Sequence, residues 1–158
     1  MAVACKQGRP NWRLLLLVAG VIFVADRASK LAVIDWIALP EIGRLDVFPP
    51  YLNFVMAWNR GINFGLGSSA DMRWLLVAVA VIISAGLAWW ALRRGGAALL
   101  WGAGLVIGGA LGNAYDRVRY GAVADFLNMS CCGIDNPFAF NIADVAIFAG
   151  ALLIAYKA

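Results

Sequence analysis

Histidine is absent from all 158 residues. That excludes Ser-His-Asp and Cys-His nucleophile schemes, which use imidazole to carry the proton, and removes the commonest metal ligand. Cysteine is scarce, with only Cys5, Cys131 and Cys132. An odd count with one adjacent pair makes no disulfide framework. Neighbouring cysteines also suit no zinc-site spacing, so all three read as small apolar residues. Charge is sparse too: Lys, Arg, Asp and Glu make up 14% of the chain, against about a quarter in soluble domains. No nucleic-acid-binding module is visible. The net charge of +4 bears first on orientation in a membrane.

What fills the chain is apolar surface, with 63% hydrophobic residues. The composition predicts a small α-helical integral membrane protein with one domain over residues 1–158. Four segments, at about 14–37, 74–92, 97–120 and 138–156, are expected to cross a membrane as helices. A hydrocarbon core about 30 Å thick takes ~20 helical residues. DRASK interrupts the first segment, the second is uncharged, the third is uncharged until Asp116, and the fourth carries only Asp144. The N-terminal MAVACKQGRPNWRLLLLVAGVIFVA has the basic-then-apolar form of a cleavable signal. Its apolar run continues past Asp26, Arg27 and Lys30 with no small-residue cleavage site, so it reads as a retained span.

Short loops rich in Lys and Arg stay in the cytoplasm. Lys6, Arg9 and Arg13, then Arg93 and Arg94, then Lys157 all fall on one side of a four-span chain. Both termini are therefore expected inside, with residues 38–73 and 121–137 outside. The run YLNFVMAW has strand-like content, and Pro49-Pro50 with Gly61, Gly65 and Gly67 marks turns around it. The expectation is a small β-rich extracytoplasmic cradle between spans one and two. Gly104, Gly108 and Gly112 lie four apart along one face of span three and let another helix approach closely.

The polar residues of the spans gather toward one level. Asp26, then Asn113, Asp116 and Arg117, then Asn141 and Asp144 all fall toward the expected outer ends, and Asp125 lies in the outer connector. Asn113 and Asp116 are three residues apart, as are Asn141 and Asp144, a spacing that shares a helix face. Structural readings stand beside functional ones: Asp116 can pair with Arg117 or Arg119, Asp26 with Arg27 or Lys30, and Asp125 can simply be solvated. Asp144 has no cation within one turn. Two carboxylates that share a site hold one proton between them. Such a pair can activate water while protonating a carbonyl oxygen. The alternative is a small membrane transporter or helix-packing scaffold using buried carboxylates. The uncharged inner halves of spans two to four speak against a proton relay.

GGALGNAYDRVRYGAVADFL, followed by NPFAFNIADVAIF, resembles the signature of lipoprotein signal peptidase (signal peptidase II). DRASK resembles that family's D-Q-x-x-K region, and WNRGINFG its N-x-G-x-x-F segment. The resemblance covers all four spans in order. It implies an aspartic endopeptidase of the bacterial inner membrane that removes signal peptides from diacylglyceryl-modified prolipoproteins, cutting before the lipidated cysteine near the outer leaflet. By position, Asp125 and Asp144 would be the catalytic pair. Asn59, Gly61, Asn113, Arg117 and Asn141 would line and polarise the site, with Asp26 and Asp116 supporting it. The resemblance implies no metal or organic cofactor, membrane lipid as surroundings, and globomycin as an inhibitor. Arg27 stands where Gln is common, Asn63 where a small apolar residue is usual, Ala124 in place of Val, and Val145 where Ser is frequent. The segment NMSCCGIDN departs from the family pattern as a whole.

Overall fold

The structure, a computed structural model, describes residues 11–61, 69–131, 133 and 136–157. Cys5, Asn63, Gly65, Gly67 and Cys132 lie outside the described residues. In chain order come α1 (Trp12–Leu31), a π-helical turn (Ala32–Trp36), α2 (Leu39–Ile42), β1 (Arg44–Phe48), β2 (Leu52–Asn59), α3 (Ser69–Arg94), α4 (Ala97–Tyr120), β3 (Val123–Met129) and α5 (Ile142–Lys157).

α1 begins where the side chain of Asn11 accepts from the Leu14 N–H at 3.2 Å, which satisfies one of the orphan donors of the first turn. DRASK does not break the helix. Asp26 and Lys30 are spaced i,i+4 on its inner face and pair at 2.9 Å, so the charges are neutralised without unwinding the backbone. α4 ends at Gly121, whose φ of 79° is the left-handed conformation that closes a helix and that glycine adopts without a Cβ clash. The chain then turns directly into β3.

α4 is the central helix, with α1, α3 and α5 around it. The small-residue face predicted for α4 packs on α1. A Cβ added at Gly104 would meet Val18, one at Gly108 would stand 2.5 Å from the Ala19 carbonyl, and one at Gly112 2.7 Å from Asp26 Oδ2. A second such face is built from Gly102 and Gly109 of α4 with Gly150 of α5. On one side of the helix set, Leu15, Ala19, Ala91, Leu99, Leu100, Ala103 and Ile107 form the apolar core.

The distribution of polarity is inverted relative to a water-soluble protein. Asp26, Lys30, Asn113, Asp116 and Asn141 are buried, whereas Leu16, Leu17, Val21, Ile82, Ile83, Phe148 and Leu152 face outward. Met72–Arg94 and Ala97–Tyr120 are long and apolar enough to cross a membrane by length and composition. Within α1, Arg13, Asp26, Arg27 and Lys30 interrupt the apolar run, and α5 has 16 residues.

The cradle differs from expectation in one respect. The sheet is three-stranded and antiparallel, in the order β1-β2-β3, so its third strand comes from the connector before α5 and not from the loop between the first two long helices. β3 is also flanked on its other side. Phe140 donates to the Leu127 carbonyl at 3.0 Å and accepts from the N–H groups of Phe126 and Leu127 at 3.0 and 2.8 Å. With neighbours on both edges, β3 is buried along most of its length. Phe126, with Val33 and Leu39, forms a second apolar cluster that seats the sheet on the end of the first helix.

Candidate active site

Asp125 is in β3 and Asp144 in the first turn of α5. The docking of Phe140 onto β3 brings them together, because it places the start of α5 beside the strand. Asn141, the next residue, precedes the helix instead of sharing its first face with Asp144. Asn141 Oδ1 accepts from the Asp144 N–H at 2.9 Å, and the Asp144 carboxylate accepts from the Asn141 N–H at 3.2 Å. This is the reciprocal pattern of a capping box. Three-residue spacing thus reports a helix start here, not a helix face.

The capping box also decides which way the Asn141 amide points. A backbone N–H can only donate, so it holds Oδ1, and Nδ2 must turn the other way. Nδ2 donates to Asp125 Oδ1 at 2.6 Å and to Asn113 Oδ1 at 3.2 Å. Asn59 follows the same logic. The Gly61 N–H donates to its Oδ1 at 3.0 Å, and its Nδ2 donates to Asp125 Oδ2 at 3.2 Å. Asn59 reaches Asp125 because of register: Ala57 pairs with Asp125 and Asn59 with Val123. Asn59 and Asp125 are therefore diagonal neighbours on one face of the sheet. One extra β2 residue between Phe54 and Ala57 sets this alignment.

Asn113, on α4, donates through Nδ2 to Asp144 Oδ1 at 2.8 Å. Every oxygen of the two carboxylates thus accepts one N–H. Asp125 is almost fully buried, at 3% exposure, and not solvated. Burial, and secondarily the nearby Asp144 charge, push its carboxyl up to about 6, while the amides of Asn59 and Asn141 pull the other way. Arg117 donates to the Asn113 carbonyl at 3.3 Å.

Behind the pair lies a four-charge cluster. Asp116 pairs with Arg27 and, at 2.5 Å, with Lys30, rather than with its sequence neighbours Arg117 or Arg119. Asp26 pairs with Lys30 at 2.9 Å and Arg27 at 3.2 Å. Each supporting carboxylate also holds the backbone immediately before one member of the front pair. Asp26 accepts from the Ala143 N–H at 3.2 Å, and Asp116 from the Ala124 N–H at 3.3 Å. Lys30 and Arg27 were not among the site residues inferred from sequence. The i,i+4 spacing of Asp26 and Lys30 was the available signal, but their link to Asp116 crosses 86 to 89 positions and has no local trace.

The model of the family described as Signal peptidase (SPase) II matches residues 18–158 of the chain. The chain belongs to the signal peptidase II family. A "Lipoprotein signal peptidase" from Methylobacterium sp. (strain 4-46) is 42% identical over 137 residues, spanning 85% of this chain and 82% of that one. Another with the same name, from Rhodopseudomonas palustris, is 39% identical over 149 residues, spanning 91% and 90%. Two solved structures, both described as a bacterial membrane enzyme, share the fold at 26% identity. One has a TM-score of 0.80 with 97% of each chain covered, the other 0.76 with 94% and 89%. As a member of the signal peptidase II family, the chain is an aspartic endopeptidase that removes signal peptides from prolipoproteins. Membership sets aside the transporter and scaffold readings of the buried carboxylates.

Proposed function

We propose that Asp125 and Asp144 are the catalytic pair of this signal peptidase II and that they share one proton. The observation that carries this reading is Asn141, which donates to both carboxylates at once, through its side chain to one and its backbone to the other. In the reaction, the ionised carboxylate takes a proton from water as the water oxygen bonds to the scissile carbonyl carbon. The protonated carboxylate gives its proton to the carbonyl oxygen. When the tetrahedral species collapses, the C–N bond breaks and the departing nitrogen takes a proton from the pair. The amides of Asn59, Asn113 and Asn141 keep the carboxylates aimed while their protons change hands. Arg117 adds positive charge beside them. No cofactor is required by this scheme.

The substrate in this reading is a diacylglyceryl-modified prolipoprotein, cut just before its lipidated cysteine. Four helices cross the bacterial inner membrane, with both termini cytoplasmic and the sheet at the outer leaflet. The outward-facing apolar side chains of α1, α3 and α5 support the four crossings. A bond at the outer end of a membrane-inserted signal helix then meets the pair without its lipid leaving the bilayer.

The test is cleavage of a lipidated prolipoprotein by the purified protein in detergent, with and without globomycin. Asp125→Asn and Asp144→Asn are expected to yield folded protein with at least about 10³-fold lower kcat, and globomycin to block the parent. Full cleavage by either variant would refute the pair.

A further inference from the structure

Lys30 is 1% exposed on a helix with an outward face of leucine and valine. It lies 2.9 Å from Asp26 and 2.5 Å from Asp116. Those two contacts account for its neutralisation. They leave unexplained a third: Lys30 Nζ donates to Asn113 Oδ1 at 3.1 Å.

An ammonium can only donate. It therefore holds the carbonyl side of the Asn113 amide and turns Nδ2 toward Asp144 Oδ1, 2.8 Å away. With the amide reversed, its oxygen would face the Asp144 carboxylate and its NH2 the ammonium, so two attractive contacts would become two repulsive ones. Asn141 Nδ2 adds a second donor to Asn113 Oδ1 at 3.2 Å, but Asn141 is itself held by the capping box and shared with Asp125. Among the described residues, only Lys30 brings a full positive charge to this side-chain amide. Arg27, by contrast, pairs with Asp26 and Asp116, lies over the Tyr115 ring at 4.8 Å, and contacts neither asparagine.

We propose that Lys30 is a positioning residue for the reaction, acting through Asn113 to keep an N–H aimed at Asp144. The Asp26 and Asp116 carboxylates fix the ammonium, the ammonium fixes the amide, and the amide fixes the carboxylate. The chain Lys30–Asn113–Asp144 joins α1, α4 and α5 at the level of the site. This inference rests on the reading of Asp125 and Asp144 as the catalytic pair.

The experiment measures kcat and KM for lipidated prolipoprotein with Lys30→Met, Asn113→Ala, the double variant and Asp144→Asn. Lys30→Met is expected to lower kcat about 100-fold, the order of effect of a small misplacement in an active site, with KM within about threefold. In the Asn113→Ala background, Lys30→Met is expected to lower kcat no further, because the amide it acts through is gone. Arg27→Gln, which removes the cluster's other cation without touching Asn113, serves as the comparison: its loss of kcat is expected to be the smaller and to persist in full in the Asn113→Ala background. Since Lys30→Met leaves Arg27 alone with two carboxylates, it is also combined with Asp26→Asn, which restores the charge balance of the cluster, and each variant's thermal transition is measured beside its kinetics. An unchanged kcat in Lys30→Met, or losses from Lys30 and Asn113 that multiply, overturns the proposal. Asp144→Asn separates the failures: if it cleaves normally, the catalytic pair is wrong, and if it is inactive while Lys30→Met is normal, only the role of Lys30 is wrong.

Discussion

The side-chain amide of Asn141 donates to Asp125 Oδ1 across 2.6 Å. Its other end, Oδ1, caps α5. One residue therefore serves both the helix and the site, and substitutions can separate the two roles. Asn141→Ser keeps a capping oxygen but is too short to reach Asp125. It is expected to melt within a few degrees of the parent and to lose about 100-fold or more in kcat. Asn141→Ala is expected to lose activity and also about 1 kcal/mol of stability from the missing cap. Thermal unfolding in detergent beside cleavage kinetics checks both.

The raised carboxyl of Asp125 gives the site a pH signature of opposite sign to the usual paired aspartate. Its pKa is about 6, against an ordinary 3.8, so between those values the folded chain holds more protons than the unfolded one. Its contribution to stability is most favourable below about 4, declines as pH rises toward 6, and changes little above that. If Asp125 carries the shared proton in the free enzyme, kcat/KM falls as pH rises through about 6. Asn59→Ala removes a hydrogen bond that favours the ionised form, so this limb of the profile is expected to move to higher pH. A limb that stays put or moves down contradicts the assignment.

Ion pairs in this chain differ sharply in consequence with burial. Asp116 is fully buried between Lys30 and Arg27, and Asp116→Asn leaves two buried cations sharing the single carboxylate of Asp26. A loss of about 3–5 kcal/mol is expected, as for removing one partner of a buried pair. Asp46, at the sheet edge, pairs with Arg44 at 2.7 Å with both side chains more than half exposed. Asp46→Asn is expected to shift the melting point hardly at all. Equal effects from the two would overturn the placement of the Asp116 cluster.

The α1–α4 contact makes a parallel contrast with glycine. A Cβ at Gly108 would sit 2.5 Å from the Ala19 carbonyl, a backbone atom that moves only with its helix. Gly108→Ala is expected to destabilise by about 1–3 kcal/mol, the usual range for overpacking. Gly20, on the same α1, has nothing within 4 Å of the added methyl. Gly20→Ala is expected to be neutral or to stabilise by about 0.5–1 kcal/mol through helix propensity. Urea or thermal unfolding of the two variants in one detergent decides the matter.

Much of this was written locally in the chain. Runs of apolar residues marked the long helices, since a helix with an outward apolar face needs only composition and length. The tandem motifs around Asp125 and Asp144 pointed to both carboxylates and to Asn113 and Asn141, and the WNRGINFG segment pointed to Asn59, because each motif is contiguous. Asp125 was harder to place: in sequence its surroundings look like a connector, and only pairing with β2 on one side, with Phe140 docked against Phe126 and Leu127 on the other, makes it part of a buried strand. Asn141 was placed on a helix face when it is the cap, since a spacing of three fits either.

What composition and motif determined by themselves was the apolar helical frame and the identity of the polar residues it keeps. What the tertiary structure alone decided was their partners: Asp116 turns away from Arg117 and Arg119 to meet Arg27 and Lys30, the Asn113 amide takes its direction from Lys30 on another helix, and the locally held amides of Asn59 and Asn141 meet Asp125 only through the packing of other segments. The reason is physical. Hydropathy and periodicity are sums over neighbours along the chain. An ion pair or an oriented amide depends on which donor packing delivers within about 3 Å, and that is settled only when the helices and the sheet come together.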